Sequence, residues 1–356
     1  MSTSINNPII IIGAGLTGLT LGYYLEREKK DFIIIESRPR IGGRVLTEIG
    51  KEGIPIELGA TWLGLQHKHL LNLLDELKIE TFHQEFGDKA IVEPISTSPP
   101  YLVSLPPNNS PSFRIKGGTH TITNSLTRTI GQSRIRLNEK VKSISLQGDT
   151  LSLITDKSTY QASKIVSTLP PQLLIGTIEF HPQLPNELIS VAEKTHTWMS
   201  QSIKIALSFK SPFWRELGKS ATVMSNVGPI PEMYEHNNVD NSQYALMGFM
   251  NGNYYSISRE ERLEKNISQL TRYYGDEVKA YTQYYEKTWA TDPDTHHPYS
   301  SHILPHENNG HSIYQRTYLN DRLIISGTET STANPGYLDG AVYSAIQALD
   351  RIKKTS

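Results

Sequence analysis

Cysteine is absent from the 356-residue sequence. This absence excludes disulfides, thiol nucleophiles, iron–sulfur clusters and cofactors attached through a cysteine sulfur, although it does not identify the cellular compartment. An excess of charge is absent as well, because the formal net charge is -1. A nearly neutral chain gives no reason to expect nucleic acid or an anionic membrane as a partner. Thiol chemistry and nucleic-acid binding are therefore the first function classes to be set aside.

Long apolar runs are missing too. No stretch is long enough to span a bilayer, so we expect no integral membrane segment. The first residues, Met1–Ser4, have neither the basic region nor the apolar core of a signal peptide. We therefore expect a cytoplasmic protein, and its length suggests two domains.

The most informative stretch covers residues 8–36. Four consecutive isoleucines, Ile9–Ile12, predict a parallel strand that is buried on both faces. A Gly-x-Gly-x-x-Gly pattern begins where this strand should end, and leucines then recur at helical spacing. A second apolar run, Phe32–Ile35, is followed by the acid Glu36. Together these features predict a βαβ unit with a dinucleotide site in its first turn.

Each residue of this turn has a mechanical reason to be there. Gly13 allows a tight turn, Gly15 lets the backbone approach a pyrophosphate, and Gly18 lets the helix pack closely on the strand. Glu36 follows Gly18 by 18 residues, where its carboxylate can accept hydrogen bonds from ribose hydroxyls. A lone glycine pattern would be weak evidence. The strand, helix and acid around this one favour a dinucleotide site over an ordinary glycine turn.

Further motifs follow along the chain. They are the basic loop Arg38-x-Arg40-x-Gly42-Gly43-Arg44, the run Leu58-Gly59-Ala60-Thr61-Trp62, the strand and acidic turn Arg322–Glu329, and Gly336-Tyr337-x-x-Gly340-Ala341. Together with the first turn, these motifs resemble the flavin-containing amine oxidase family, and the sequence is similar to a short, bacterial-type member. That family includes monoamine, polyamine and L-amino-acid oxidases and flavin-dependent histone demethylases.

The resemblance implies an α/β fold in two parts. A Rossmann-type FAD-binding domain would be assembled from the discontinuous residues 1–80, 112–175 and 305–356. An inserted α+β substrate-binding domain of sheets and helices would take residues 81–111 and 176–304. The proline-rich residues 94–111 predict an irregular excursion, either a loop that crosses toward the second domain or a mobile surface loop.

The resemblance also implies FAD as the cofactor. Relatives attach flavin through a cysteine in the segment that corresponds to residues 297–305, and since this chain has no cysteine, we expect FAD to be bound non-covalently. The helix start near Leu338 would face the O2 and N1 edge of the flavin, where negative charge accumulates on reduction. Trp289 would either shield the flavin ring or be a core residue. The residues expected to bind FAD are Gly13, Gly15, Gly18, Glu36, Arg38, Arg44, Gly59, Ala60, Thr61, Trp62, Val141, Trp289, Gly327, Glu329, Gly336, Leu338 and Ala341.

The expected catalytic residues come from two regions. In residues 203–209, large apolar side chains alternate with smaller or polar ones, which predicts a strand with Lys204 turned away from the larger side chains. On general grounds such a lysine faces solvent, whereas the resemblance implies that Lys204 reaches the flavin N5 through a water molecule. The resemblance also implies that Tyr337 forms one wall of an aromatic cage. Tyr299 is the nearest candidate for the opposite wall, and its register is open.

Residues 296–311 contain five histidines, counting His296 and His311 themselves. A metal site is one interpretation, but Pro305 separates His302 from His306 and disfavours a shared helix face. No acid–histidine motif supports zinc. We therefore expect a polar loop at the mouth of the site, and no metal.

By resemblance, the protein is expected to be an FAD-dependent oxidoreductase that oxidises the C–N bond of a small-molecule amine. Hydride would pass to flavin N5, the imine would be hydrolysed, and O2 or another acceptor would reoxidise the flavin, with H2O2 formed from O2. The substrate region is shorter than is usual in the family, which implies an open pocket or a partner chain, as in a homodimer. Two alternatives stay open: a related FAD-dependent C–C desaturase or protoporphyrinogen oxidase-like enzyme, and a non-catalytic flavoprotein.

Overall fold

A parallel βαβ unit opens the chain, as the sequence predicts. The computed structural model describes residues 7–354. Strand β1 (Ile9–Ile12) pairs in parallel with β2 (Phe32–Ile35), and helix α1 (Leu16–Arg27) connects them. All four residues of β1 are buried, because side chains pack on both faces of the sheet. The predicted unit is thus confirmed.

Sheets of six, four and seven strands hold most of the remaining β-structure. In chain order the other strands are β3 (Thr47–Ile49), β4 (Pro55–Glu57), β5 (Leu63–Gly64), β6 (Thr81–His83), β7 (Lys89–Glu93), β8 (Tyr101–Ser104), β9 (Ser112–Ile115), β10 (Ile135–Arg136), β11 (Val141–Gln147), β12 (Thr150–Thr155), β13 (Thr159–Ala162), β14 (Lys164–Ser167), β15 (Glu179–His181), β16 (Ile203–Phe209), β17 (Val223–Ser225), β18 (Glu232–Glu235), β19 (Tyr244–Met250), β20 (Gln283–Thr288), β21 (Thr317–Tyr318) and β22 (Leu323–Ile325). The other α-helices are α2 (Lys68–Glu76), α3 (His120–Ile130), α4 (Pro171–Thr177), α5 (Asn186–Glu193), α6 (Phe213–Glu216), α7 (Arg259–Tyr274) and α8 (Leu338–Lys354).

The six-stranded sheet has the order β10-β2-β1-β14-β22-β21, and its pairings are parallel except for that of β21 with β22. Helices α1, α3 and α8 pack together on one face, where Leu19 and Val342 belong to one apolar core. The four-stranded sheet β13-β12-β11-β15 covers the other face, and Ile10 and Ile144 share a second core there. This arrangement brings the loops after β1 and β22 to the same carboxyl edge, where α/β sheets bind ligands.

The seven-stranded sheet has the order β20-β16-β19-β18-β17-β7-β8. Helix α7 packs on one face, where Ile205 and Leu270 share a core. On the opposite face, Ala206 and Met247 pack with Ile56 of β4. The sheet therefore turns one face toward the segment that contains the Leu58–Trp62 motif.

The alternation predicted for β16 is confirmed, but both faces of the strand are buried. Lys204 is only 2% exposed, so the general expectation that it faces solvent is wrong. The physical reason is that the second face of the sheet is covered by β4 and the residues that follow it.

The proline-rich residues 94–111 contain strand β8, which pairs antiparallel with β7 at the edge of the seven-stranded sheet. The prediction of a wholly irregular excursion is therefore wrong for Tyr101–Ser104. An edge position still agrees with the neighbouring prolines, because proline cannot donate to a central ladder. Within residues 7–354, no helix combines the length and the apolar character that crossing a membrane requires.

Candidate active site

Two glycine loops lie against each other at the carboxyl end of β1. Gly13 has φ +102°, in the region that favours glycine. A Cβ on Gly18 would lie 2.0 Å from the carbonyl oxygen of Gly13, so α1 could not begin this close to the strand with another residue there. Gly42 of the second loop donates its N–H to the carbonyl oxygen of Ala14 at 2.8 Å. The N-terminus of α1, which attracts anions, lies in this turn.

Glu36 lies beside the turn and is 3% exposed. Its Oε2 accepts a hydrogen bond from the Ala14 N–H at 2.9 Å, and its Oε1 accepts one from the Arg38 N–H at 2.9 Å. A cavity of about 40 Å³ is lined by Gly13, Glu36 and Val141, among others. The structure thus brings together three residues that the sequence assigned to one ligand.

A segment that we call the strap, residues 289–297, contributes Asp294 to the lining of this cavity. Arg38 donates to the Asp292 carboxylate at 2.5 Å. Lys140 pairs with Asp294, which also lines the cavity, at 3.2 Å. Arg38 therefore holds the strap, a contact that no local motif could reveal because Asp292 is 254 residues away in sequence.

Trp289 anchors the beginning of the strap. Its side chain is 4% exposed, and its indole N–H donates to the carbonyl oxygen of Leu58 at 2.9 Å. The Lys287 ammonium lies 4.9 Å from the ring centroid. The strap is thereby fixed to the Leu58–Trp62 motif.

Arg44 and Glu329 join the second glycine loop to the turn after β22. Two guanidinium N–H groups donate to the carboxylate at 2.6 and 2.9 Å. Glu329 is fully buried, whereas a quarter of the Arg44 side chain is exposed. The Trp198 backbone joins the pair, since its N–H donates to Glu329 at 3.3 Å and its carbonyl accepts from Arg44 at 3.2 Å. One partly exposed cation therefore balances one buried anion.

Helix α8 begins at Leu338, as predicted. Asp339 fixes this start, because its carboxylate accepts from the Leu70 N–H at 2.8 Å and from the Asn334 amide at 2.7 Å. Gly336 precedes the helix with φ +88°, and a Cβ there would lie 3.0 Å from the Cβ of Trp198. Glycine thus lets Trp198 lie directly against the helix start.

Lys204 lies between the Leu58–Trp62 motif and the seven-stranded sheet. Its Nζ donates to the carbonyl oxygen of Gly59 at 2.6 Å and to the Thr61 hydroxyl. The ring centroids of Trp62 and Phe249 lie 5.3 and 5.4 Å from Nζ. Burial lowers the pKa of Lys204 to about 7. A lysine with this pKa can hold or release a proton at neutral pH.

The charges of Glu57, Arg114 and Glu232 act on Lys204, and His236 lies beside Arg114. Burial raises the pKa of Glu57, which accepts from the Thr119 N–H at 2.6 Å, and its negative charge favours the ammonium form of Lys204. An Arg114 N–H group lies 3.0 Å from Nδ1 of His236, so Nδ1 must be the unprotonated acceptor. His236 is accordingly neutral, and burial followed by the Arg114 charge lowers its pKa well below the usual value.

A row of aromatic rings, which we call the aromatic trough, extends from Lys204 across the seven-stranded sheet. It consists of the rings of Trp62, Phe86, Tyr234 and Phe249. The Trp62 centroid lies 5.4 Å from that of Tyr234 and 6.1 Å from that of Phe249, and Phe86 lies 5.3 Å from Tyr234. Such apolar surroundings favour uncharged over charged groups at the Lys204 end, because burying an unpaired charge is costly.

Three rings surround Tyr337, which is 42% exposed. Its centroid lies 5.7 Å from that of His67, 5.9 Å from that of Trp198 and 6.0 Å from that of His306. Trp198 and His306 stack on each other at 4.1 Å. The imidazole of His306 lies nearly parallel to the Tyr337 ring and also stacks on the Trp198 indole.

Tyr299 packs elsewhere, beside the segment that precedes β16. Its hydroxyl accepts from the Thr197 N–H at 3.0 Å, and its ring contacts those of His196 and His296 at 6.3 and 5.5 Å. The structure does not bring it into the group of rings around Tyr337 described above. Its assignment as the second cage wall stays a prediction.

The histidines of residues 296–311 make contacts in different parts of the molecule. His306 stacks on Trp198, and His296 Nδ1 lies 3.2 Å from the Ser200 hydroxyl. In the part of the chain that the structure describes, residues 7–354, no cluster of three or more histidine, aspartate or glutamate side chains could hold a metal ion.

Sequence reasoning missed several residues of this region. They are Phe86, Trp198, Glu232, Tyr234, Phe249, Asp292, Asp294 and His306. One usable signal was the i, i+2 spacing of Glu232 and Tyr234, which predicts side chains on the same face of a strand. The order of the strands, which brings that face to Lys204, was not readable from local patterns.

Comparison with known proteins gives the following matches. A family model described as "Flavin containing amine oxidoreductase" matches residues 16–99 and 96–353. A probable flavin-containing monoamine oxidase A of Dictyostelium discoideum is 23% identical over 451 aligned positions, which cover 97% of each chain. Because 451 positions exceed the 356 residues of this chain, the relative has segments without a counterpart here. A putrescine oxidase of Kocuria rosea is 20% identical, over 84% of this chain and 85% of the relative.

Solved structures show the same fold. Wild-type putrescine oxidase bound to putrescine superposes with a TM-score of 0.84 at 18% identity, covering 98% of this chain and 99% of the other. Cyclohexylamine oxidase from Brevibacterium oxydans superposes with a TM-score of 0.84 at 16% identity, covering 99% and 100%. The mixed α/β architecture predicted from the sequence is thereby confirmed.

Proposed function

The chain belongs to the family of flavin-containing amine oxidoreductases, and from this membership we propose that it binds FAD non-covalently and oxidises a C–N bond of a small-molecule amine with oxygen as the acceptor. The observation that carries the proposal is the position of Lys204. A buried lysine with a pKa of about 7 is held against Gly59 and Thr61, between two aromatic rings.

The residues at the carboxyl edge of the six-stranded sheet fit FAD. The close approach of Gly18 to Gly13 leaves the N-terminus of α1 at the turn, which suits a pyrophosphate. The buried carboxylate of Glu36 and the cavity beside Val141 suit a ribose and an adenine ring. The absence of cysteine supports a non-covalent complex.

The other expected FAD contacts are assigned to the residues of this chain that match the motifs of the family. Arg44 and Glu329 would lie along the middle of the cofactor, and the start of α8 at Leu338 would face the flavin ring. The remaining residues in this proposal are Gly15, Arg38, Gly59, Ala60, Thr61, Trp62, Trp289, Gly327, Gly336 and Ala341. The proposed FAD-binding domain comprises residues 1–80, 112–175 and 305–356, and the proposed substrate-binding domain comprises residues 81–111 and 176–304.

When bound, FAD supplies the acceptor for the hydride equivalent taken from the C–N bond, and oxygen regenerates it with formation of H2O2. The protein's own groups would prepare the substrate. The rings of Trp62 and Phe249 exclude water and favour the neutral amine. Lys204 holds or releases a proton at its Nζ. Tyr337, with the rings around it, would form a wall that orients the substrate, and water would then hydrolyse the imine to a carbonyl compound and an amine or ammonia.

Product and cofactor analysis tests this proposal. The purified protein should release FAD on heat denaturation, and incubation with amines should yield carbonyl product and H2O2 in equal amounts. Flavin that stays attached to the denatured chain would contradict non-covalent binding. Bound FAD without consumption of any amine would instead favour a non-catalytic flavoprotein. Localisation in the cytoplasm and a homodimer belong to the same proposal, and they can be examined by fractionation and by light scattering.

A further inference from the structure

A row of three side chains leads outward from Lys204 across the seven-stranded sheet. Lys204 on β16 lies directly opposite Phe249 on β19, and Phe249 lies directly opposite Glu232 on β18. Directly opposite residues point to the same face of a sheet, and neighbouring strands lie about 4.8 Å apart. Glu232 therefore stands roughly 10 Å from Lys204 along the floor of the site.

The aromatic trough connects these two positions. Phe249 lies between them in register, and Tyr234, two residues after Glu232, presents its ring to Trp62. The next position outward, Met224, is 44% exposed. The row therefore runs from a buried position at Lys204 toward an exposed position beyond Glu232.

Glu232 carries a negative charge into this trough. Its side chain is half-buried and accepts a hydrogen bond from the Tyr234 hydroxyl at 2.7 Å, so its protein partner is a neutral group. Within residues 7–354 no lysine, arginine or histidine forms an ion pair with it at 4.0 Å or less. A half-buried carboxylate beside aromatic rings is most stable when a cation is bound to it.

We propose that Glu232 binds a second, distal ammonium group of the substrate, so that the substrate class is diamines and polyamines rather than monoamines or amino acids. This inference rests on the proposed function, because Lys204 marks the end at which the reacting amine lies. The aliphatic stem would lie along the rings of Phe249 and Tyr234. A substrate carboxylate near the same position would be repelled by Glu232.

Anaerobic flavin reduction by matched amines tests the proposal. The ratio of kcat/KM for 1,4-diaminobutane to that for butylamine should fall about 10- to 100-fold in Glu232→Gln, because a charged hydrogen bond is lost. Glu235→Gln is the matched control, since this carboxylate belongs to the same strand but pairs with Arg215 on the opposite face. It should leave the ratio as in the wild type. An unchanged ratio in Glu232→Gln, with both amines still oxidised, would overturn the proposal.

Binding without turnover gives an independent readout. With the flavin reduced by dithionite under argon, calorimetric titration should show 1,4-diaminobutane binding at least about tenfold more tightly than butylamine in the wild type. This preference should disappear in Glu232→Gln. Equal binding of both amines to the wild type would overturn the assignment of Glu232. If monoamines are oxidised as efficiently as diamines, only the proposed substrate class fails. Failure of every amine to reduce the flavin would instead refute the proposed function itself.

Discussion

The Lys204 ammonium group donates a hydrogen bond of 2.6 Å to the carbonyl oxygen of Gly59, which is 145 residues away in sequence. This contact joins the middle of the seven-stranded sheet to the Leu58–Trp62 motif. Gly59 must be glycine, because a Cβ there would lie 2.1 Å from the carbonyl oxygen of Arg44. One close crossing of backbones thus positions both the lysine and the second glycine loop.

Replacing the lysine should slow the redox reaction without loss of the cofactor. We expect Lys204→Met to retain FAD and to slow flavin reduction or reoxidation about 100-fold, since a positioned proton donor or acceptor contributes on this scale. Stopped-flow absorbance measures both half-reactions. Lys210→Met, an exposed lysine just after the same strand, is the control and should behave as the wild type. Normal turnover in Lys204→Met would remove Lys204 from the mechanism.

The lowered pKa of Lys204 has a consequence for stability. Between pH 7 and pH 10 the unfolded chain keeps the proton on this lysine, whereas the folded chain has lost it, because burial lowers its pKa from 10.5 to about 7. Stability contributed by this group therefore rises with pH in that window and is lowest below pH 7.

Urea unfolding at several pH values, with FAD in excess, measures this effect. The free energy of unfolding should rise more steeply with pH in the wild type than in Lys204→Met, by at most about 1.4 kcal/mol per pH unit. Parallel pH dependences in the two proteins would show that Lys204 keeps an ordinary pKa.

Two glycines of the first turn should respond differently to alanine. A Cβ on Gly15 would meet its nearest atom, Gly43 Cα, only at 4.0 Å, so Gly15→Ala should fold normally. Its methyl group would nevertheless occupy the space kept for a pyrophosphate, and FAD affinity should fall about tenfold or more. In Gly18→Ala the Cβ would meet a backbone oxygen at 2.0 Å, so stability itself should fall. Fluorescence titration with FAD and thermal unfolding separate the two effects, and equal FAD affinity in Gly15→Ala and the wild type would contradict the assignment.

The Arg44–Glu329 pair should be asymmetric. Arg44→Ala leaves a fully buried carboxylate without its cation and should cost about 3–5 kcal/mol. Glu329→Gln leaves a guanidinium that is one-quarter exposed and can turn to water, so the loss should be smaller, about 1–3 kcal/mol. Denaturant unfolding measures both values. Equal losses, or a larger loss in Glu329→Gln, would mean that the carboxylate is not the more poorly solvated partner.

Sequence patterns predicted those parts of the site whose residues lie close together in the chain. The isoleucines of β1, Gly13, Gly18 and Glu36 lie within one βαβ unit, where spacing alone determines the geometry. The helix start at Leu338 and the alternation around Lys204 were readable for the same reason.

The contacts between distant segments could not be read in this way. Glu232 approaches Lys204 only because β18 and β16 flank β19, and Asp292 approaches Arg38 only because the strap folds back over the first sheet. Strand order and loop return depend on the packing of the whole chain. The second wall of the aromatic cage could not be predicted either, since residues 299–306 form a loop without a periodic pattern.

The most direct test of the account is the flavin absorption spectrum of the purified protein, recorded without oxygen while monoamines, diamines and amino acids are added in turn. The account predicts that the oxidised flavin bands bleach with amines, fastest with diamines, and return when oxygen is admitted together with formation of H2O2. A flavin spectrum that no amine changes would contradict amine oxidation by this protein.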